Sequence, residues 1–255
     1  MYLIKRIQEV YEISSYLSTE FVIAEYLLTH IDDIQNLSLK DICNATSISK
    51  SVVSKFFKKI TFDQNFSLFR SAMILEQEYN VIDDKKLIND ALILKEKFMQ
   101  QDLNNYQWLN NDKLKSLAKY FWKADKIIFY GNLSKRSYFQ YLIYSLLKDG
   151  KKARFVSYSY YNFNNNELMD LKENDLFVVV EPDNTFYEYS LKTLASVDAP
   201  FSFSNIKSHI MFIGSGIKEE RHIINVGIEK TKNLFMDDIL LQLFCHQVLY
   251  YYKKI

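Results

Sequence analysis

Apolar positions in the first 80 residues recur with helical spacing. Phe21, Ala24, Tyr26, Leu27 and Leu28 form an amphipathic stretch that ends near Ile31, and the acids Asp32 and Asp33 mark a break. Ser38 then reads as an N-cap, with Asp41 where a capping box usually has Glu or Gln. It opens a short helix, Leu39 to Ala45, with Leu39, Ile42 and Cys43 inward. Thr46, Ser47 and Ile48 make a tight connection, and Ser49 is a second N-cap that opens a helix over Lys50 to Ile60. This helix divides in two. Val52, Val53, Phe56 and Ile60 fall on one side. Ser51, Ser54, Lys55, Lys58 and Lys59 follow the i, i+3, i+4, i+7, i+8 spacing of the other. A further helix runs from about Asn65 to Tyr79, with Phe66, Phe69, Ala72 and Met73 on one face.

A charged stretch at Asp83, Asp84, Lys85 and Lys86 and a helical segment from Leu87 to Leu103 make residues 81–110 a linker helix. Beyond it the rhythm changes. Helices are expected over Leu114–Trp122, Tyr138–Lys148, Glu188–Val197 and Leu234–Tyr252. They alternate with short apolar strands at Lys126–Tyr130, Ala153–Ser157, Leu176–Val180, Ile210–Ile213 and Ile223–Val226. Buried strands alternating with helices predict a parallel sheet covered on both faces. The expected organisation is therefore an all-α helix-turn-helix domain over 1–80, the linker, and an α/β domain over 111–255.

Composition narrows the field. Five Gly and two Pro in 255 residues exclude collagen-like and Gly- or Pro-rich disordered chains and disfavour turn-dense β architectures. Cys43 and Cys245 stand far apart, which gives no disulfide framework and no CxxC pair. His30, His209, His222 and His246 show no metal-ligand spacing, so neither a metal nor a cofactor is expected. No apolar stretch reaches ~18 residues and no secretory leader is seen, so a soluble, cytoplasmic chain without a membrane partner is expected. The net charge of +1 says little, because local sign matters more. Within 49–60, Lys50, Lys55, Lys58 and Lys59 face no carboxylate in the sequence.

Two short helices joined by a tight turn, the second rich in Ser and Lys, form a helix-turn-helix pattern. Short hydroxyls allow close approach to a major groove, and Lys side chains reach phosphates or guanine edges. The candidate DNA-contacting residues are Ser38, Ser49, Lys50, Ser51, Ser54, Lys55, Lys58 and Lys59. Lys55 and Ser51 are expected in the groove, with Lys58 or Lys59 on phosphate. Double-stranded operator DNA is the expected partner.

The two halves together resemble the RpiR/MurR type of bacterial transcriptional regulator. The likeness is strongest over residues 36–70, where the family runs Leu-Ser-Ile-x-Glu-Leu-Ala, then Val-Ser-x-x-Thr-Val-x-Arg-Phe and Lys-Leu-Gly-Phe. Leu37, Ser38, Ile42, Ile48, Ser49, Val53, Lys55, Phe56, Lys59, Ile60, Phe62 and, in the aromatic-rich helix that follows, Phe66 and Phe69 fall in register. Thr61 departs, standing where the family has a Gly suited to positive φ, so a remodelled helix end is expected.

The second half resembles the sugar isomerase (SIS) domain, an α/β fold that binds phosphosugars. Family turns after the first and third strands hold the phosphate with hydroxyls and backbone N–H groups. The resemblance implies an effector site at Gly131, Ser134, Lys135 and Arg136 in one turn and Glu181, Asp183, Asn184 and Thr185 in the other. On this register the two family serines of the second turn have become Glu181 and Asp183. Two carboxylates oppose a dianionic phosphate unless Lys135 and Arg136 intervene. A degenerate sensor, a changed ligand such as an amino sugar, and a retained phosphosugar all stay open.

No GxSxG, Walker or HExxH motif is present, and Glu181 with Asp183 lacks a convergent His or Lys nucleophile. The expectation is a non-enzymatic transcriptional regulator of sugar metabolism genes. It would work as a homodimer or dimer of dimers, with the final helix (Phe235, Leu240, Phe244, Leu249, Tyr250) as the interface. The rival is a SIS-fold isomerase or deaminase with a helical extension. A third reading is an interaction protein without either activity.

Overall fold

Helices form where the apolar stripes predict them. In the computed structural model they are α1 (Tyr2–Ile13), α2 (Thr19–Thr29), α3 (Leu39–Thr46), α4 (Lys50–Ile60) and α5 (Phe66–Tyr79). The structure describes residues 2–61, 65–79, 110–157, 167–168, 170–180, 206–214, 223–228 and 234–255. It divides into two units, Met1–Ile82 with Ser145–Arg154, and Asp83–Tyr144 with Phe155–Ile255. The expected linker helix over Leu87–Leu103 and the helix over Glu188–Val197 lie outside the described residues.

In the first unit α1 buries Ile4, Ile7 and Tyr11, and α2 buries Phe21, Ile23, Ala24, Leu27 and Leu28. Phe57 of α4 stands 4.8 Å, centre to centre, from both Phe66 and Phe69 of α5. Two arginines tie helix ends together. Arg6 Nη1 donates to the Ile60 carbonyl at 2.6 Å, and Arg70 Nη1 donates to the Leu37 carbonyl at 3.3 Å. The first reaches the C-terminal end of α4, where the last carbonyls lack intrahelical partners, and the second bonds the residue just before the N-cap of α3. Arg154, nearly fully buried in this unit, donates to the Tyr11 carbonyl at 3.0 Å, its guanidinium carbon 4.9 Å from the Phe21 ring centre.

In the second unit α6 (Asn111–Lys123) is capped by Asn110, whose Oδ1 accepts from the Asp112 N–H. The strands of the sheet are β1 (Lys126–Gly131), β2 (Lys152–Ser157, whose first three residues are counted with the first unit), β3 (Leu176–Val180), β4 (His209–Ile213) and β5 (Ile223–Asn225), in the order β2-β1-β3-β4-β5. The pairs β1–β3, β3–β4 and β4–β5 are parallel. Every residue of β3 is buried, as a continuous Leu-Phe-Val-Val-Val run requires of a central strand. After β1 a 3₁₀ turn, Leu133–Lys135, leads into α7 (Arg136–Lys148), which starts two residues before the expected Tyr138. Gly150, at φ +76°, closes that helix.

The last helix, α8 (Leu234–Tyr252), corrects one expectation. Leu240, Phe244 and Leu249, expected at a dimer interface, are 0%, 0% and 4% exposed within the single chain. α8 packs against α6 and buries these three residues within its own chain; Tyr250 is half-buried, and the Phe235 side chain lies outside the described ones.

Candidate nucleic-acid interface

The capping box at α3 forms as the sequence predicts. Ser38 Oγ accepts from the Asp41 N–H at 3.2 Å, and Asp41 Oδ2 accepts from the Ser38 N–H at 2.9 Å. The Ser38 hydroxyl also donates to Asp41 at 2.5 Å, so its bonding capacity is engaged within the helix start. That hydroxyl bond, and after it the bond from the Ser38 N–H, holds the Asp41 carboxyl below its usual pKa.

The chain leaves α3 through Ser47, which adopts the left-handed conformation at φ 56°. Its N–H donates to the Cys43 carbonyl, and the Ile48 N–H donates to the same oxygen at 3.3 Å. One left-handed residue reverses the chain within three positions. Ser49 holds the N-cap position of α4 in extended conformation, but its side chain makes no cap bond. Its Oγ lies 3.1 Å from Ser51 Oγ instead.

α4 buries Val53, Phe56, Phe57 and Ile60. Val52 is therefore corrected. It was expected inward with Val53, yet it is exposed, because the i, i+3, i+4, i+7 stripe from Val53 runs through Phe57. Ser38, Ser49, Lys50, Ser51, Lys55, Lys58 and Lys59 are exposed and Ser54 half-buried. Among the described residues, no carboxylate pairs with Lys50, Lys55 or Lys58. Lys59 does have one: its Nζ lies 2.7 Å from Glu20 Oε1 of α2. The segment is free of acids in sequence but not in space, and this corrects the reading of Lys59 as an unopposed cation.

Thr61 ends α4 at φ −114°, outside the left-handed region that suits glycine. Its hydroxyl donates to the Phe57 carbonyl at 2.6 Å, the same oxygen that takes the Thr61 N–H at 3.0 Å, so the helix ends without a glycine turn. This is the remodelled end that the Thr predicted.

The second candidate site begins at the carboxyl end of β1. Gly131 pairs in register with Val180, so β1 and β3 end side by side. The chain leaves β1 toward β2 on one flank and later returns to β3 on the other. This is the topological switch point where open α/β sheets bind ligands. Ser134 is exposed, and its N–H donates to Asn132 Oδ1 at 3.0 Å. Arg136 is half-buried at the start of α7. Lys135 Nζ bonds Asp238 of α8 at 2.7 Å. Burial pushes the Asp238 carboxyl up, but hydrogen bonds from Lys135 and Tyr138 outweigh it and leave the carboxyl below its usual pKa. Burial, with Asp238 adding, pushes the Tyr138 phenol up to about 12. Neither Asp238 nor Tyr138 was singled out by sequence. Glu181, Asp183, Asn184 and Thr185 lie outside the described residues.

No cluster of His, Cys, Asp and Glu that could hold a metal, and no helix long and apolar enough to cross a membrane, occurs among the described residues.

Residues 1–80 match the helix-turn-helix domain of the rpiR family. No curated protein sequence matches the chain. Among solved structures the chain is similar to the NanR protein of Vibrio vulnificus, solved complexed with ManNAc-6P. Identity is 14% and the TM-score 0.38, over 98% of this chain and 90% of that one. It is also similar to the C-terminal domain of glucosamine-fructose-6-phosphate aminotransferase from Francisella tularensis. There identity is 13% and the TM-score 0.44, over 83% of this chain and 52%, about half, of that one.

Proposed function

We propose, from the match of residues 1–80 to the helix-turn-helix domain of the rpiR family, that this chain is a sequence-specific DNA-binding transcriptional regulator. The observation that carries the reading is the outward face of α4. Ser51, Lys55 and Lys58 stand exposed on a helix whose opposite stripe is fully buried. Such a helix is held rigidly from behind and offers short hydroxyls and ammonium groups to a polyanion. In this reading Lys55 and Ser51 enter the major groove, while Lys50 and Lys58 meet phosphate.

The α/β domain is proposed to hold two copies together and to sense a sugar effector near Gly131, Ser134, Lys135 and Arg136. A phosphate arriving there must compete with Asp238 for the Lys135 ammonium. The contacts between copies would come from surfaces other than Leu240, Phe244 and Leu249. A two-fold dimer would read two related half-sites.

The test is selection of duplexes from a random-sequence library by the full chain. Enrichment of one motif with two related half-sites is expected. A bound pool that stays random after repeated rounds would overturn the reading.

A further inference from the structure

Val52 breaks the chemistry of the face on which it stands. It is 38% exposed, while Val53, Phe56, Phe57 and Ile60 fill the buried stripe. Its exposed neighbours on α4 are Ser51, one residue before it, and Lys55, three residues after it. It is the third residue of the helix and so belongs to its first turn. The N-terminal residues of the second helix in a helix-turn-helix are the ones that reach base edges.

The surface that meets this turn must complement its surroundings. Lys55, three residues after Val52, and Lys59, seven after it, flank it on the helix surface and place positive charge beside it; no carboxylate pairs with Lys55 among the described residues, and Lys59 has only the substantially exposed Glu20 side chain. A polyanionic duplex satisfies those cations. A valine among them gains nothing from phosphate or from a hydrogen-bonding base edge. The major-groove edge displays one apolar group, the 5-methyl of thymine.

We propose that Val52 is a specificity-determining residue that packs on a thymine 5-methyl group in the major groove. The proposal rests on the DNA-binding reading above and adds to it the base that the first turn of α4 selects. Covering one methyl group is worth about fourfold in affinity.

The experiment uses the full chain and the duplex obtained by selection. Each thymine is replaced in turn by deoxyuridine, which removes only the 5-methyl group. At one or more thymines the unmodified protein is expected to lose about fourfold in affinity. The Val52→Ala variant is expected to bind the thymine duplex that much more weakly and to be indifferent to the same replacement. Alanine is the better helix former at this exposed position, so the variant keeps the fold. Indifference of the unmodified protein to every replacement, with tight binding retained, would overturn the role of Val52 and leave the DNA-binding reading standing. A deoxyuridine penalty that persists in full in Val52→Ala would also overturn it. Failure to select any duplex would overturn both.

Discussion

Lys59 Nζ lies 2.7 Å from Glu20 Oε1, so the last turn of α4 is tied to the first turn of α2. Both side chains are substantially exposed, and such a pair contributes at most about 1 kcal/mol. A phosphate can therefore displace Glu20 at little cost. Replacing Glu20 by Gln should raise affinity for a random duplex about two- to fivefold at low salt. The gain should fade as screening shortens the range of charge. Lys59→Ala in the same background should remove it. Fluorescence anisotropy over a salt series measures this, and affinity unmoved by Glu20→Gln would show that Lys59 does not face DNA.

The two serine caps are not equivalent. The Ser38 side chain accepts from Asp41, whereas the Ser49 side chain makes no cap bond. Ser38→Ala should cost about 1 kcal/mol and Ser49→Ala only a few tenths. Urea unfolding followed by far-ultraviolet circular dichroism compares them, and equal losses would contradict the cap geometry.

What was legible in the sequence was local. The Ser38–Asp41 box spans three residues, and the Leu176–Val180 run is a central strand by composition alone. What was not legible depends on distant partners. Glu20 reaches Lys59 across 39 positions, and Asp238 reaches Lys135 across 103. Val52 went astray because apolar character says nothing of which stripe a tertiary neighbour covers, and the covered stripe included Phe57. The final helix misled for a related reason. A strongly apolar helix can be buried by its own chain or by a second copy, and α6 supplies the cover here.

Gly131 fits because it has no side chain. A Cβ there would lie 2.8 Å from the Val180 carbonyl oxygen and 3.0 Å from Val180 Cβ, on the neighbouring strand. A backbone atom cannot step aside as a flexible side chain can. Gly131→Ala should destabilise the chain by about 1–3 kcal/mol. Urea unfolding of the full chain checks this, and unchanged stability would contradict the close approach of β1 and β3.

His246 on α8 gives the chain a pH dependence of known sign. It is half-buried beside the Tyr141 ring, and burial pushes its imidazole below the ordinary value of 6.5. The unfolded chain takes the proton at the ordinary value, the folded chain only at lower pH. Stability is therefore fully present above that value and is lost as pH falls below it. The melting midpoint should drop between about pH 7.5 and about pH 5.5, a range in which ordinary carboxylates stay largely ionised. His246→Gln should flatten the drop. An equal drop in that variant would assign it to other groups.

The most direct measurement is binding of the selected duplex by the double substitution Ser51→Ala/Lys55→Ala. Both side chains are exposed on α4, so the fold and its circular dichroism should be retained. If α4 reads the groove, affinity for the selected duplex should fall by about 5- to 150-fold, from a loss of ~1–3 kcal/mol, while a random duplex loses much less. Unchanged affinity for the selected duplex in a folded double variant would contradict the account.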